Sequence, residues 1–216
     1  MDVALKICRY DPEKDTSAYF QELGVSLEEN GTVLDALLLA WQQDPTLSFR
    51  RSCRSAICGS CAILINGRPA LACQTLIRKA EANGGPLTLE PLSHFRQLKD
   101  LVVDLEPLFE SLKAAVPWLL LSDRYDGRMD PEAVGKIENP AACILCGICQ
   151  ADLGEAEIKP VGVLKALRFA LDPRDSLGTH RLRLLQLPPE VLGLFIKQLP
   201  RNCPKGIDIV SAATQS

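Results

Sequence analysis

Residues 53–61 read CRSAICGSC, and a fourth cysteine, Cys73, follows after eleven intervening residues. Cys53, Cys58 and Cys61 at x4 and x2 spacing, followed by a remote partner, match the plant-type loop that wraps a 2Fe–2S cluster. Four thiolates on two irons need an irregular loop with small residues, so that main-chain N–H groups can approach sulfur. Ser55, Ala56, Gly59 and Ser60 meet that need. Arg50, Arg51 and Arg54 crowd the same loop and favour its more negative, reduced state. The competing reading is a structural zinc module. Zinc sites pair two short cysteine knuckles, and a single wrapped loop has a different form.

A second group begins at Cys143-x2-Cys146-x2-Cys149, the start of a bacterial-type run for a 4Fe–4S cluster. Such runs continue with x3-Cys-Pro, whose cysteine serves a different cluster. Here Leu153-Gly154 stands in that place, while a remote Cys203-Pro204 supplies the fourth thiolate for Cys143, Cys146 and Cys149. Eight of the nine cysteines are thereby used, and Cys8 is left as a small buried hydrophobe on the first strand. An odd count at tight spacing argues against a disulfide framework and for metal binding in a reducing compartment.

The rest of the composition narrows the function classes. A formal net charge of −3 over 216 residues points to no nucleic acid or anionic membrane as main partner. His94 and His180 are the only histidines, too few for a histidine metal or acid–base site, and read as surface or helix-end residues. No apolar run approaches the roughly 18 residues of a membrane helix, so the chain is expected not to span a membrane. MDVALKICRY lacks the basic and apolar regions of a secretory signal. These features place the chain on the cytoplasmic side, free or peripheral on the inner face of the membrane.

The expected fold class is α+β in two domains. Residues 1–98 read as a 2Fe–2S ferredoxin-like β-grasp module. Val3, Leu5 and Ile7 alternate as a strand, Thr32 caps a helix over VLDALLLAWQQ that stops before Asp44-Pro45, and Ala62–Ile65 closes on an Asn66-Gly67 turn. Leu87, Leu89 and Leu92 supply another extended piece. Residues 99–216 read as an all-α ferredoxin-like domain holding the 4Fe–4S site. Leu105, Leu108, Phe109, Leu112 and Val116 recur at helical spacing, Asp130-Pro131 starts a helix, Pro160 opens VGVLKALRFAL, and Pro188-Pro189 precede EVLGLFIKQL. The apolar faces of 105–116 and 189–199 read as core, with a partner-facing patch the alternative for the second.

RSCRSAICGSCAILINGRPALACQT, DPTLSF, DLVVDLEPLF, CILCGIC, PVGVLKALRFALDPRD and NCPKGIDI occur in order along nearly the whole chain. In this the sequence resembles the iron–sulfur subunits of succinate dehydrogenases and fumarate reductases. The resemblance implies a non-catalytic electron-transfer subunit with a FAD-containing flavoprotein on one side and a membrane anchor or other redox subunit on the other. It also implies a third, 3Fe–4S cluster and a quinone pocket, and here the sequence departs. The family's three further cysteine positions fall on Leu153, Gly193 and Leu199. With Cys8 alone to spare, no 3Fe–4S cluster is expected. The aromatics that the family places after the first of these positions are replaced by GEAEIK, and Leu194 stands where a histidine is common. The expectation is a wire of one 2Fe–2S and one 4Fe–4S cluster. The alternative is a related complex with a different substrate or a non-quinone acceptor or donor.

Overall fold

The computed structural model describes residues 1–80, 85–123, 128–153, 160–185 and 202–208. In chain order its elements are β1 Asp2–Arg9, β2 Tyr19–Ser26, α1 Val33–Gln43, β3 Ala62–Ile65, β4 Arg68–Leu71, α2 Ile77–Ala80, β5 Leu87–Glu90, β6 Gln97–Lys99 and β7 Val102–Val103. The helices α3 Glu106–Ala114, α4 Pro131–Ala141, α5 Ile148–Leu153, α6 Pro160–Ala170 and α7 His180–Leu184 follow. Packing divides the chain into one unit of Met1–Asp104 with Leu145–Asp152 and another of Leu105–Ile144 with Leu153–Ser216.

The expected break at 98/99 thus falls after Asp104, and a short later stretch joins the first unit. The reasons are local. Buried Asp100 accepts hydrogen bonds from the Tyr10 and Ser48 amides and from Arg9 Nε, which ties residues 97–103 to the sheet. Ser93 Oγ donates to Ala151 O at 3.0 Å, which holds the later stretch.

The first unit is a mixed five-stranded sheet in the order β2-β1-β5-β3-β4. β1 runs antiparallel to β2 and parallel to β5, with Leu5 opposite Leu87 and Ile7 opposite Leu89. All four of these side chains are fully buried, each worth about 1.5–3 kcal/mol relative to exposure. Helix α1 begins as read from the sequence. Asp35 N donates to Thr32 Oγ1 at 3.2 Å and Thr32 N donates back to Asp35 Oδ2 at 2.9 Å, a reciprocal cap. It ends at Asp44, and Val33, Leu34, Ala36, Leu37 and Ala40 are buried.

Arg9, at the end of β1, was not anticipated as a core residue. It is 6% exposed and reaches Asp100, Asp44 (2.8 Å), Thr46 (2.8 Å) and Gln21. Strand β2 was also unexpected. It is an edge strand with only Val25 buried, so it carries no apolar alternation to read.

The second unit is helical in its described elements. Val163, Leu164 and Leu167 of α6 form its core, with Cys143, Leu153, Leu182, Leu185 and Ile207 packed against them. Asp130 caps α4 by accepting from Ala133 N at 2.8 Å. Gly162 allows α3 and α6 to approach, since a Cβ there would lie 2.8 Å from Ser111 O. Arg181 and Asp175 form a fully buried ion pair. The expected stripe over 105–116 is core mainly at Leu108; Phe109 is 39% exposed, and the helix has ended before Val116, whose φ is 49°. The expected helix over 189–199, Gly193, Leu194 and Leu199 lie outside the described residues.

Candidate iron–sulfur site

The β3–β4 hairpin explains how the first cysteine group is assembled. Asn66 (φ 49°) and Gly67 (φ 73°) both take the left-handed conformation that a two-residue hairpin turn requires. The resulting register puts Ala62 opposite Leu71, so Cys61 and Cys73 flank the open end of the hairpin. There Ala72 N donates to Cys61 O at 3.0 Å and Cys73 N donates to Cys61 Sγ at 3.5 Å.

The loop before β3 turns its main chain towards the sulfurs. Arg54 (φ 56°), Ala56 (φ 55°) and Gly59 (φ 72°) are left-handed, and this alternation aims successive amides inward. Cys53 Sγ accepts from Ser55 N (3.4 Å), Ile57 N (3.4 Å) and Cys58 N (3.2 Å). Cys73 Sγ accepts from Ala56 N at 3.3 Å. Cys58 Sγ lies 3.1 Å from Ser60 Oγ. All four cysteines anticipated from the sequence are therefore joined in one hydrogen-bonded group.

The thiols differ in environment. Hydrogen bonding from Ser60 and from nearby amides lowers the Cys58 thiol to about 6, whereas burial pushes Cys61 up to about 12. Thiols that accept several N–H bonds are suited to carry charge as metal-bound thiolates. Among the described residues, no three His, Cys, Asp or Glu side chains converge as ligands of a single ion would. A two-iron cluster spreads its four thiolates over two metals and asks for a wider set, which this loop with its inward amides fits.

Of the neighbouring arginines, Arg51 and Arg54 are exposed. Arg51 stacks with its guanidinium 5.1 Å from the ring centres of both Trp41 and Phe49. Cys8 is buried in β1, where burial raises its thiol, in keeping with a structural role. His94 and His180 are exposed.

The second cysteine group is shared between the two units, Cys146 and Cys149 in the first and Cys143 and Cys203 in the second. In the first, Leu145 (φ 56°) and Gly147 (φ 79°) flank Cys146 with the same left-handed alternation as the first loop. Gly147 packs so closely that a Cβ would lie 3.2 Å from Phe95 Cζ. Cys149 lies in α5, whose start is closed by Gln150 N and Ala151 N donating to Gly147 O. In the second unit, Cys143 packs on the Val163, Leu164 and Leu167 core, and so does Ile207, four residues after Cys203. Asp208 N donates to Asn139 Oδ1 at 3.1 Å, fixing the Cys203 turn beside the end of α4. Cys143 and the Cys203 segment are thus brought to one core. Leu153 packs there as well.

Comparison with known proteins shows the family. Residues 4–110 match a family described as a 2Fe–2S iron–sulfur cluster binding domain. The fumarate reductase iron–sulfur subunit of Haemophilus influenzae is 33% identical over 98% of this chain and 90% of its own length. The mitochondrial succinate dehydrogenase iron–sulfur subunit of Dictyostelium discoideum is 34% identical over 95% and 78%. This chain belongs to the iron–sulfur subunits of the succinate dehydrogenase and fumarate reductase family. A chain of the Mycobacterium smegmatis Sdh1 complex in the apo form has the same fold, with a TM-score of 0.79 at 24% identity, covering 99% of this chain and 95% of that one. Like other members, this iron–sulfur subunit is a component of an oxidoreductase complex. No helix among its described residues is long and apolar enough to cross a membrane.

Sequence reasoning named Cys53, Cys58, Cys61 and Cys73 as one group but not what surrounds them. Arg54 and Ala56 adopt left-handed backbone without being glycine, so nothing in their identity announces it. Ser60 was read only as a small residue, whereas its hydroxyl points at a sulfur.

Proposed function

We propose that this chain is the electron-transfer subunit of a succinate dehydrogenase- or fumarate reductase-type flavoprotein complex. In this reading Cys53, Cys58, Cys61 and Cys73 hold a 2Fe–2S cluster and Cys143, Cys146, Cys149 and Cys203 hold a 4Fe–4S cluster, with no 3Fe–4S cluster. When bound, the clusters supply one-electron chemistry between the FAD of a flavoprotein partner and a second redox partner. The observation that carries the reading is the set of five main-chain N–H groups donated to Cys53, Cys61 and Cys73 sulfurs. Such donors stabilise negative thiolates and tune reduction potential.

The chain's own residues make and break no substrate bonds. The hairpin sets the spacing of Cys61 and Cys73, the left-handed loop orients donors, and the strand order with α1 supports a ferredoxin-like β-grasp layout for the first unit. The helical second unit is read as the ferredoxin-like domain that completes the 4Fe–4S ligand set. The chain acts on the cytoplasmic side, as a peripheral subunit.

A second reading, a related complex with a different substrate or a non-quinone partner, is favoured by Leu153. That side chain stands at a position the family fills with a cluster cysteine, and it packs against Val163, Leu164 and Leu167. An apolar side chain committed to the core supports a wire with two clusters and an altered far end.

The test is electron paramagnetic resonance of oxidised and reduced holoprotein with an iron count. About six irons per chain are expected, from one 2Fe and one 4Fe centre. A stoichiometric 3Fe–4S signal in the oxidised protein overturns the two-cluster assignment, and a colourless zinc protein overturns electron transfer altogether. Co-purification then separates the two readings by the subunits recovered.

A further inference from the structure

Resting on the 2Fe–2S assignment above, we propose that the Ser60 hydroxyl sets the reduction potential of that cluster by donating a hydrogen bond to the Cys58 sulfur. Ser60 Oγ lies 3.1 Å from Cys58 Sγ, within range for an O–H to sulfur bond. A sulfur bound to iron carries no proton, so in the loaded protein the hydroxyl is the donor and the sulfur the acceptor. The bonds described to Cys53, Cys61 and Cys73 come from main-chain amides, which side-chain substitution leaves in place. At Cys58 a side-chain hydroxyl stands beside main-chain donors, and a single substitution removes the hydroxyl alone.

Position strengthens the effect. Cys58 is exposed, Cys53 and Cys73 are half-buried and Cys61 is buried. Negative charge on the exposed sulfur is otherwise stabilised by mobile water, which must reorganise when the charge changes. The Ser60 hydroxyl stands 3.1 Å from that sulfur, on a residue that immediately precedes buried Cys61 and the start of β3.

Reduction adds one electron to the cluster from whichever redox partner is the donor, the flavin or the partner on the other side, turning one ferric iron ferrous. No bond to carbon forms or breaks, and the Ser60 proton stays on Oγ. The added negative charge spreads onto the thiolates, so the O–H to sulfur bond is stronger in the reduced state than in the oxidised one. That difference raises the potential. If the strengthening is comparable to one ordinary net hydrogen bond, losing it makes the reduced form about tenfold less populated at a fixed potential, which is about 59 mV for one electron.

The experiment is a mediated redox titration of the 2Fe–2S signal by electron paramagnetic resonance, in holoprotein carrying Ser60→Ala, Ser60→Thr or Ser60→Val. Threonine and valine differ at this position in a hydroxyl against a methyl, so that pair isolates the donor. The expected result is a downward shift of about 59 mV in S60A and S60V, with S60T close to the unsubstituted chain. Equal potentials in S60T and S60V overturn the proposal. Loss of the cluster in S60A and S60V with retention in S60T also overturns it, because the hydroxyl would then hold the cluster and not tune it. Absence of a 2Fe–2S signal in the unsubstituted protein is a different failure, that of the cofactor assignment itself.

Discussion

Replacing Arg181 by methionine tests what holds the second unit together. Arg181 is fully buried, and its guanidinium uses all its reach: Nε donates to Asp175 Oδ1 at 2.9 Å and Nη2 to Asp175 Oδ2 and to Trp118 O at 2.8 Å. Nη1 donates to Ala115 O at 3.3 Å and to Val116 O. R181M leaves three main-chain carbonyls without this donor and strands a buried carboxylate. Asp175 keeps the amides of Leu120, Leu177 and Gly178, which soften the loss but do not neutralise the charge. Breaking one side of such a pair costs about 3–5 kcal/mol. D175N removes the charge and leaves the guanidinium unpaired, at a similar cost. In the double variant neither stranded charge remains, so its cost falls short of the sum of the single costs by on the order of 2–3 kcal/mol. Guanidinium denaturation of anaerobic holoprotein, followed by circular dichroism, measures all four corners of the cycle. Additive single costs, or an R181M cost below about 1 kcal/mol, would refute the reasoning that a mutually dependent buried pair pins the 115–118 turn.

Cys203→Ser is expected to lower the iron content from about six to about two per chain, with the reduced 2Fe–2S signal intact; loss of both signals together would contradict independent ligand sets. Gly147→Ala forces a side chain onto a left-handed residue (φ 79°) against Phe95, so a loss of about 1–2 kcal/mol and a lower 4Fe content are expected, read by denaturation and iron analysis. Acid is expected to weaken the second unit in a defined window. Burial disfavours the Asp172 carboxylate, yet Arg174 and Arg168 outweigh that and hold it down to about 2, below its ordinary 3.8. A depressed carboxylate gives stability that is complete above its unfolded value and is lost as pH falls through the folded one. About 2 kcal/mol should therefore disappear between about pH 4 and pH 2, and R168M should shrink that loss in a pH series of denaturation midpoints.

The parts that could be read from the sequence are those whose signal is local. Thr32 and Asp44-Pro45 bracket α1 because caps act within a turn, and Asn66-Gly67 marks the hairpin because only a few residues accept that backbone. The two cysteine runs are legible for the same reason, being loops with fixed internal spacing. What escaped is non-local or lies in the main chain. Arg9 and Arg181 look like surface arginines until partners 91 residues away in one case, and carbonyls 63 to 66 residues away in the other, fold over them. Strand β2 hides because an edge strand with one buried side chain has no period. Phe109 misled because an apolar residue at helical spacing need not lie on the buried face.

The amides around Cys53 have a consequence for how such a protein can change over time. Hydrogen-bond control there is written in peptide groups, and the uncharged outward side chain of Ile57, 64% exposed, takes no part in it. Mutation can therefore redraw the face shown to a neighbour, altering its shape or greasiness, while the chemistry one layer beneath keeps its setting. A lineage built this way can exchange docking companions without relearning how to hold an electron.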